Sequence, residues 1–167
     1  MSIQWYPGHM HKASKEMIET LPLVNVVVEV LDARIPYSSS NPFIGDLCTE
    51  KPCIKLLNKC DLAEPENTKL WQDYFELQSN TKTMALDLQH HDPSKQIIDL
   101  INKLSPQKEG RNTLVMVTGI PNVGKSSLIN CLAGKHIAKT GNEPAVTKGQ
   151  QRINLRKGIM LLDTPGI

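Results

Sequence analysis

Apolar residues along this chain fall into short β-branched runs separated by stretches where they recur every three or four positions. The runs Val24 to Leu31, Pro52 to Leu57, Thr81 to Leu86 and Thr113 to Thr118 predict strands, the last of them buried. The helical period appears in His9 to Leu21, through Met10, Ala13, Met17 and Leu21. It appears again in Glu66 to Gln78 after Pro65, where Trp71, Tyr74 and Phe75 read as core. Ser94 to Leu104 predicts a helix with Ser94 as N-cap and Ile97, Ile98, Leu100 and Ile101 on its buried side. Ser127 to Ala133 predicts another, closed by Gly134. Gln150 to Leu155 and Gly158 to Leu162 predict two strands joined near Lys157-Gly158, and polar Pro106 to Asn112 reads as a surface linker. Strands alternating with helices predict an α/β fold: a mostly parallel sheet flanked by helices, with one antiparallel hairpin late in the chain.

The 167 residues suit one domain with a sizeable core. A content of 22% charged and 40% apolar residues is an ordinary soluble balance. The net charge of +2 implies no strong bulk attraction to nucleic acid. Basic residues do gather locally, around Lys135, Lys139, Lys148, Arg152, Arg156 and Lys157; such a group either faces RNA or is a solvated face. Cys48, Cys53, Cys60 and Cys131 form no C-x-x-C pair and read as free thiols in a reducing compartment. The N-terminus lacks a signal-peptide apolar region. The longest apolar run, Val26 to Leu31, is interrupted by Glu29 and too short for a bilayer. The expectation is a cytoplasmic protein with no membrane and no DNA partner.

The most specific motif is Gly119-Ile120-Pro121-Asn122-Val123-Gly124-Lys125-Ser126, which matches the phosphate-binding P-loop pattern G-x-x-x-x-G-K-[ST]. Gly119 and Gly124 let the backbone curl so that successive N–H groups, through Val123 and on to Ser127, face a polyphosphate. Lys125 adds a charge for the β- and γ-phosphates, and the Ser126 hydroxyl can ligate Mg²⁺. A strand before and a helix after give the motif its required context, with the helix N-terminus at the phosphates. A nucleoside triphosphate site follows.

Asn58-Lys59-Cys60-Asp61 bears on which base is bound. It follows an apolar strand, at the end where open α/β sheets take ligands. Guanine presents N1–H and a 2-amino group side by side, and the Asp61 carboxylate can accept from both. Adenine would leave that carboxylate partly unpaired, a penalty of roughly 1–3 kcal/mol. Lys59 can lie over the base, and Asn58 can tie the loop to the P-loop. Asp163-Thr164-Pro165-Gly166 supplies a third element: Asp163 to hold the metal through a water, and the Gly166 N–H to sense the γ-phosphate. Thr147, between the P-loop helix and the last strand, is placed to complete Mg²⁺ coordination; the alternative is a threonine of a strand or turn.

The base-reading motif precedes the P-loop, so the order is circularly permuted relative to common GTPases. With Trp5-Tyr6-Pro7-Gly8-His9-Met10 and Asp32-Ala33-Arg34-Ile35-Pro36, this order resembles the ribosome biogenesis GTPase A (YlqF) family of circularly permuted GTPases. The resemblance covers essentially the whole sequence. It implies a Ras-like G domain over residues 1–167 (with an N-terminal helical segment, 1–22), binding of GTP and GDP, GTP hydrolysis, and a role in assembling the large ribosomal subunit with its RNA. The family continues into a helical C-terminal domain, whereas this sequence stops at Ile167, as expected of a fragment or of a protein without that domain. Ala145 stands where the family's switch segment has glycine. Met84-Ala85-Leu86-Asp87 replaces a clear Ser-Ala pair, with Leu86 and Asp87 expected on the far side of the base.

Ile167 occupies the place where Ras-like enzymes carry a water-orienting glutamine, and it cannot bond a water. Chemistry then rests on Lys125, Thr147 and a group from elsewhere. His9 is one candidate, brought near by the family resemblance; its alternative is an exposed helix-start histidine. A potassium ion is the other: resemblance to potassium-activated GTPases with Pro-Asn-x-Gly-Lys-Ser loops assigns it to Asn122, which otherwise braces a turn. His90-His91 with Asp92 reads as a solvated loop, and Asp32 with Arg34 as a local ion pair or an interaction surface. Two other functions stay open: a P-loop ATPase or kinase, and a non-catalytic module holding GTP and RNA.

Overall fold

The computed structural model describes residues 15–47, 49–134, 150–155 and 157–164. Six strands make one sheet: β1 (Val26–Asp32), β2 (Cys53–Asn58), β3 (Thr81–Ala85), β4 (Thr113–Thr118), β5 (Gln151–Asn154) and β6 (Ile159–Asp163). Their order is β3-β2-β1-β4-β6-β5. All neighbours are parallel except β5, which runs antiparallel to β6. Helices are α1 (residues 15–20), α2 (Pro36–Ser39), α3 (Pro42–Leu47), α4 (Pro65–Phe75), α5 (Ser94–Leu104) and α6 (Lys125–Ala133).

β1 and β2 are buried at every position, which is why their sequences read as nearly continuous apolar runs broken only by Glu29 and Lys55 before their polar last residues. Alternate residues still go to opposite faces. Val26, Val28 and Val30 join Val115 and Val117 beneath Ile97, Ile98 and Ile101 of α5 and Leu128, Ile129 and Leu132 of α6. Val27 and Met116 meet Met17 of α1 and Ile44 of α3 on the other face. Each such aliphatic side chain contributes about 1.5–3 kcal/mol by leaving water.

One ionic pair interrupts the apolar layers. Glu29 and Lys55 face each other in the β1–β2 register, both buried, with Nζ 2.6 Å from Oε1. The Lys55 ammonium lies 5.2 Å from the Phe75 ring centre, a cation–π contact. The other Glu29 oxygen accepts the Asn41 N–H at 3.1 Å, anchoring the α2–α3 connection to the sheet.

The structure departs from the sequence reading in places. α2 and α3 were not foreseen: they are four and six residues long, too short to show a period, although each begins with proline. α4 ends at Phe75 rather than Gln78, and β1 starts at Val26 rather than Val24. Ser94 is the first helical residue of α5, not its cap; its N–H donates to Asp92 Oδ1 at 2.9 Å. Phe75 is buried, Trp71 half-buried and Tyr74 exposed, so the expected aromatic core reduces to one ring.

The strand order sets the location of a site. The chain lays β1, β2 and β3 outward in one direction, then returns through α5 to place β4 on the other side of β1. Between the C-terminal ends of β1 and β4 lies the crevice where open α/β sheets bind ligands.

Candidate functional site

The loop after β4 is built around two left-handed residues, Asn122 (φ +69°) and Gly124 (φ +101°). A Cβ on Gly124 would lie 2.3 Å from Asn58 Nδ2, so only glycine fits. Gly119 is also tightly packed, though less so, with Val123 Cγ2 and the Val30 carbonyl 2.9 and 3.0 Å from where its Cβ would be. α6 starts at Lys125, so the loop delivers its backbone amides to a helix N-terminus suited to phosphate.

The loop after β2 is fastened onto this turn. Asn58 Nδ2 donates to the Val123 carbonyl at 2.9 Å, and its Oδ1 accepts the Leu88 N–H at 3.5 Å. Lys59 is left-handed (φ +63°), and its Nζ donates to the Asn122 carbonyl at 2.9 Å. Asp32, at the end of β1, lies 3.8 Å from the same ammonium. Its carboxylate also accepts a fork from Arg34, Nε at 3.0 Å and a terminal nitrogen at 2.7 Å, and that guanidinium holds Asp32 below the usual carboxylate range against the opposing effect of burial. The ends of β1, β2 and β4 are thus joined through Lys59.

Beside these contacts is a cavity of about 300 Å³, the size of a small-ligand pocket. Asn58, Lys59, Asp61, Asp87, Gly124 and Ser127 line it. Leu86 does not: its side chain is in the core, because its N–H and carbonyl are spent on Leu57 and Cys60, and Leu88 and Gln89 face the cavity instead. Sequence reasoning missed Leu88 and Gln89, and noticed Arg34, also on the wall, without a role. His90 Nδ1 lies 2.6 Å from Asp87 Oδ2, so this histidine of the expected solvated loop is spent locally.

On the far side of the P-loop, Lys125 Nζ donates to Asp163 Oδ1 at 2.5 Å and to the Thr164 carbonyl. Burial pulls the Lys125 ammonium below the usual lysine range, while Asp163 acts against that shift. Asp163 and Thr164 are fully buried, and Thr164 Oγ1 donates to the Val117 carbonyl at 2.8 Å. The Ser126 hydroxyl follows Lys125 in sequence, and the Asp163 carboxylate, 38 residues on, meets Lys125 in space. Both are hard oxygen donors, the chemistry a small divalent cation selects. His9, Thr147, Pro165, Gly166 and Ile167 lie outside the described residues.

Residues 114–167 match the sequence family described as 50S ribosome-binding GTPase. Ribosome biogenesis GTPase A of Priestia megaterium (strain DSM 319 / IMG 1521) is 46% identical over 177 residues, spanning 100% of this chain and 61% of that protein. The protein of the same name from Thermotoga maritima is 41% identical over 99% of this chain and 59% of its own length. Mitochondrial ribosome-associated GTPase 1 of Mus musculus is 36% identical over 98% of this chain and 55% of its own. A GDP-bound structure of TM YlqF superposes with a TM-score of 0.64 and 38% identity, over 91% of this chain and 57% of that one. YjeQ from Thermotoga maritima, at 18% identity and a TM-score of 0.55, shares the fold. The chain spans about three fifths of the length of the ribosome biogenesis GTPases it matches.

Proposed function

We propose that the chain, as a member of the ribosome biogenesis GTPase A family, binds GTP and GDP, hydrolyses GTP, and switches in the assembly of the large ribosomal subunit in the cytoplasm. The observation that carries this reading is the fastening of the Asn58–Asp61 loop onto the P-loop. It puts a carboxylate that can read guanine and a glycine turn that can cradle phosphate on one cavity. In this reading residues 1–167 form a single circularly permuted G domain.

Asp61 accepts from the guanine N1–H and 2-amino group, with Lys59 along the base. Backbone N–H groups from Asn122 to Ser127 surround the phosphates, and Lys125 leaves Asp163 to meet the β- and γ-phosphates. Ser126, Thr147 and Asp163 would hold a magnesium ion, which when bound supplies charge neutralisation on the phosphate oxygens. Asn122 would hold a potassium ion, supplying positive charge where an arginine finger otherwise sits. Gly166 would sense the γ-phosphate and His9 would orient the attacking water, so that turnover is slow until a partner closes the site.

Competition of GDP and ADP against a fluorescent guanine nucleotide tests the base assignment. GDP is expected to win by at least about tenfold, and Asp61→Asn to move preference to xanthosine diphosphate. Equal competition by ADP, or unchanged GDP affinity in Asp61→Asn, refutes it. Phosphate release in K⁺ and in Na⁺, with and without large ribosomal subunits, tests hydrolysis; no release under any of these conditions leaves a binding module only.

A further inference from the structure

The end of the sheet opposite the P-loop carries a second hollow. β4 separates the two by its full six residues, about 17–20 Å. The hollow has a volume of about 430 Å³. Leu114 and Met160, both half-buried, give it an apolar floor beside the exposed Leu23, and Lys108, Arg111 and Arg152 give it a cationic rim. The rim is assembled from two distant segments. Arg111 N donates to the Lys108 carbonyl at 3.1 Å through a turn in which Gly110 takes φ +73°, and both residues line the hollow. Gln107 Nε2 donates to the Lys157 carbonyl at 2.5 Å, and Thr113 N to the Gly158 carbonyl at 2.7 Å, so the β5–β6 hairpin bearing Arg152 is tied to that turn. Among the described residues, no carboxylate pairs with Lys108, Arg111 or Arg152. The acid of the turn itself is Glu109, which is exposed.

We propose that this hollow is a docking surface for single-stranded RNA, with the three cations on successive backbone phosphates and the apolar floor receiving an unstacked base. The reasoning is chemical. Cations without acidic partners, spread around a concave rim, suit a chain of phosphates rather than one carboxylate ligand. A floor of leucine and methionine suits a base face, which a fully paired duplex does not offer. Grouping of basic residues in a chain of net charge only +2 makes the field local to this corner. The surface deepens the ribosomal reading above and rests on it for the partner's class, but it does not share residues with the nucleotide site.

The test compares the chain with a K108Q/R111Q/R152Q variant, using a short fluorescein-labelled oligouridine and anisotropy over a KCl series from about 50 to about 200 mM. Unaltered protein is expected to bind, with the variant at least about tenfold weaker and its log–log salt slope smaller by about 2, as three phosphate contacts at about 0.7 each require. GDP affinity, measured on the same samples, stays the same. A control of equal charge change at exposed sites elsewhere, K69Q/K82Q/K95Q, is expected to keep RNA affinity within about twofold. The proposal is overturned if the rim variant keeps its affinity and slope, if the control loses as much as the rim variant, or if duplex RNA binds more tightly than oligouridine. Loss of GDP binding in the unaltered protein would defeat the nucleotide reading alone, since the RNA titration does not use it.

Discussion

Gly124→Ala concentrates the stereochemistry of the site into one methyl group. At φ +101° an alanine is held in a backbone region that costs roughly 1–3 kcal/mol. Its Cβ would also be 2.3 Å from Asn58 Nδ2. Asn58 is buried and bonded on both sides, so it can yield only by releasing the Val123 carbonyl, which costs about 1–3 kcal/mol for the stranded group. The sum is about 2–6 kcal/mol, a large share of the roughly 5–15 kcal/mol that holds an ordinary domain together. Urea unfolding followed by tryptophan fluorescence gives the stability, and titration with GDP gives the site. The decisive measurement is a cycle with Asn58→Ala, which removes the colliding amide. The double variant should be more stable than additivity predicts by at least about 1 kcal/mol. Additive losses, or a Gly124→Ala protein within about 0.5 kcal/mol of the original with unchanged GDP affinity, would show that the collision is not what constrains this position.

The buried pair offers a test of a different kind. Glu29→Ala leaves the Lys55 ammonium inside the protein and should cost about 3–5 kcal/mol in urea unfolding, whereas Glu29→Leu with Lys55→Met should cost much less; equal losses would contradict the account. Acid unfolding probes Asp32. Arg34 lowers its folded-state titration below the ordinary value of 3.8, so the stability it gives is present above that value and is lost as pH falls through the depressed one. Arg34→Ala should therefore begin to unfold at a higher pH than the original protein, and coincident acid midpoints would exclude the linkage. At the surface, Asp92 is held at about 2 by Ser94 and Cys131, so Asp92→Asn should flatten the stability change between the ordinary aspartate range and about pH 2; an unaltered acid limb would count against it.

The parts of the fold that were legible in the sequence are those where one local pattern decides. β2 and β4 read to within one residue because nearly every position is buried and the runs are predominantly apolar, and Gly134 marks the end of α6 because a left-handed residue is needed there. The P-loop reads from spacing alone. What could not be read depends on contacts across the chain. Lys59 bonds to a carbonyl 63 residues away, and nothing local announces it. Glu29 stands out in β1 as a charge, but its partner follows only from the β1–β2 register. Leu86 and Leu88 differ by two positions and look alike; the backbone bonds of Leu86 to Leu57 and Cys60 decide which one faces the cavity.

The permuted order divides the sheet into two halves that are each continuous in sequence, β1 to β3 and β4 to β6, meeting along the β1–β4 seam. Asp61 belongs to the first half and Lys125 to the second, so a guanine nucleotide held by both would act as a staple across that seam. A ligand of this kind resists parting of the halves as well as unfolding of either one. Its loss would be felt first as slackening between two intact pieces, and in a chain synthesised from the N-terminus the base-reading half would wait, with one edge open, for the phosphate-binding half to close it.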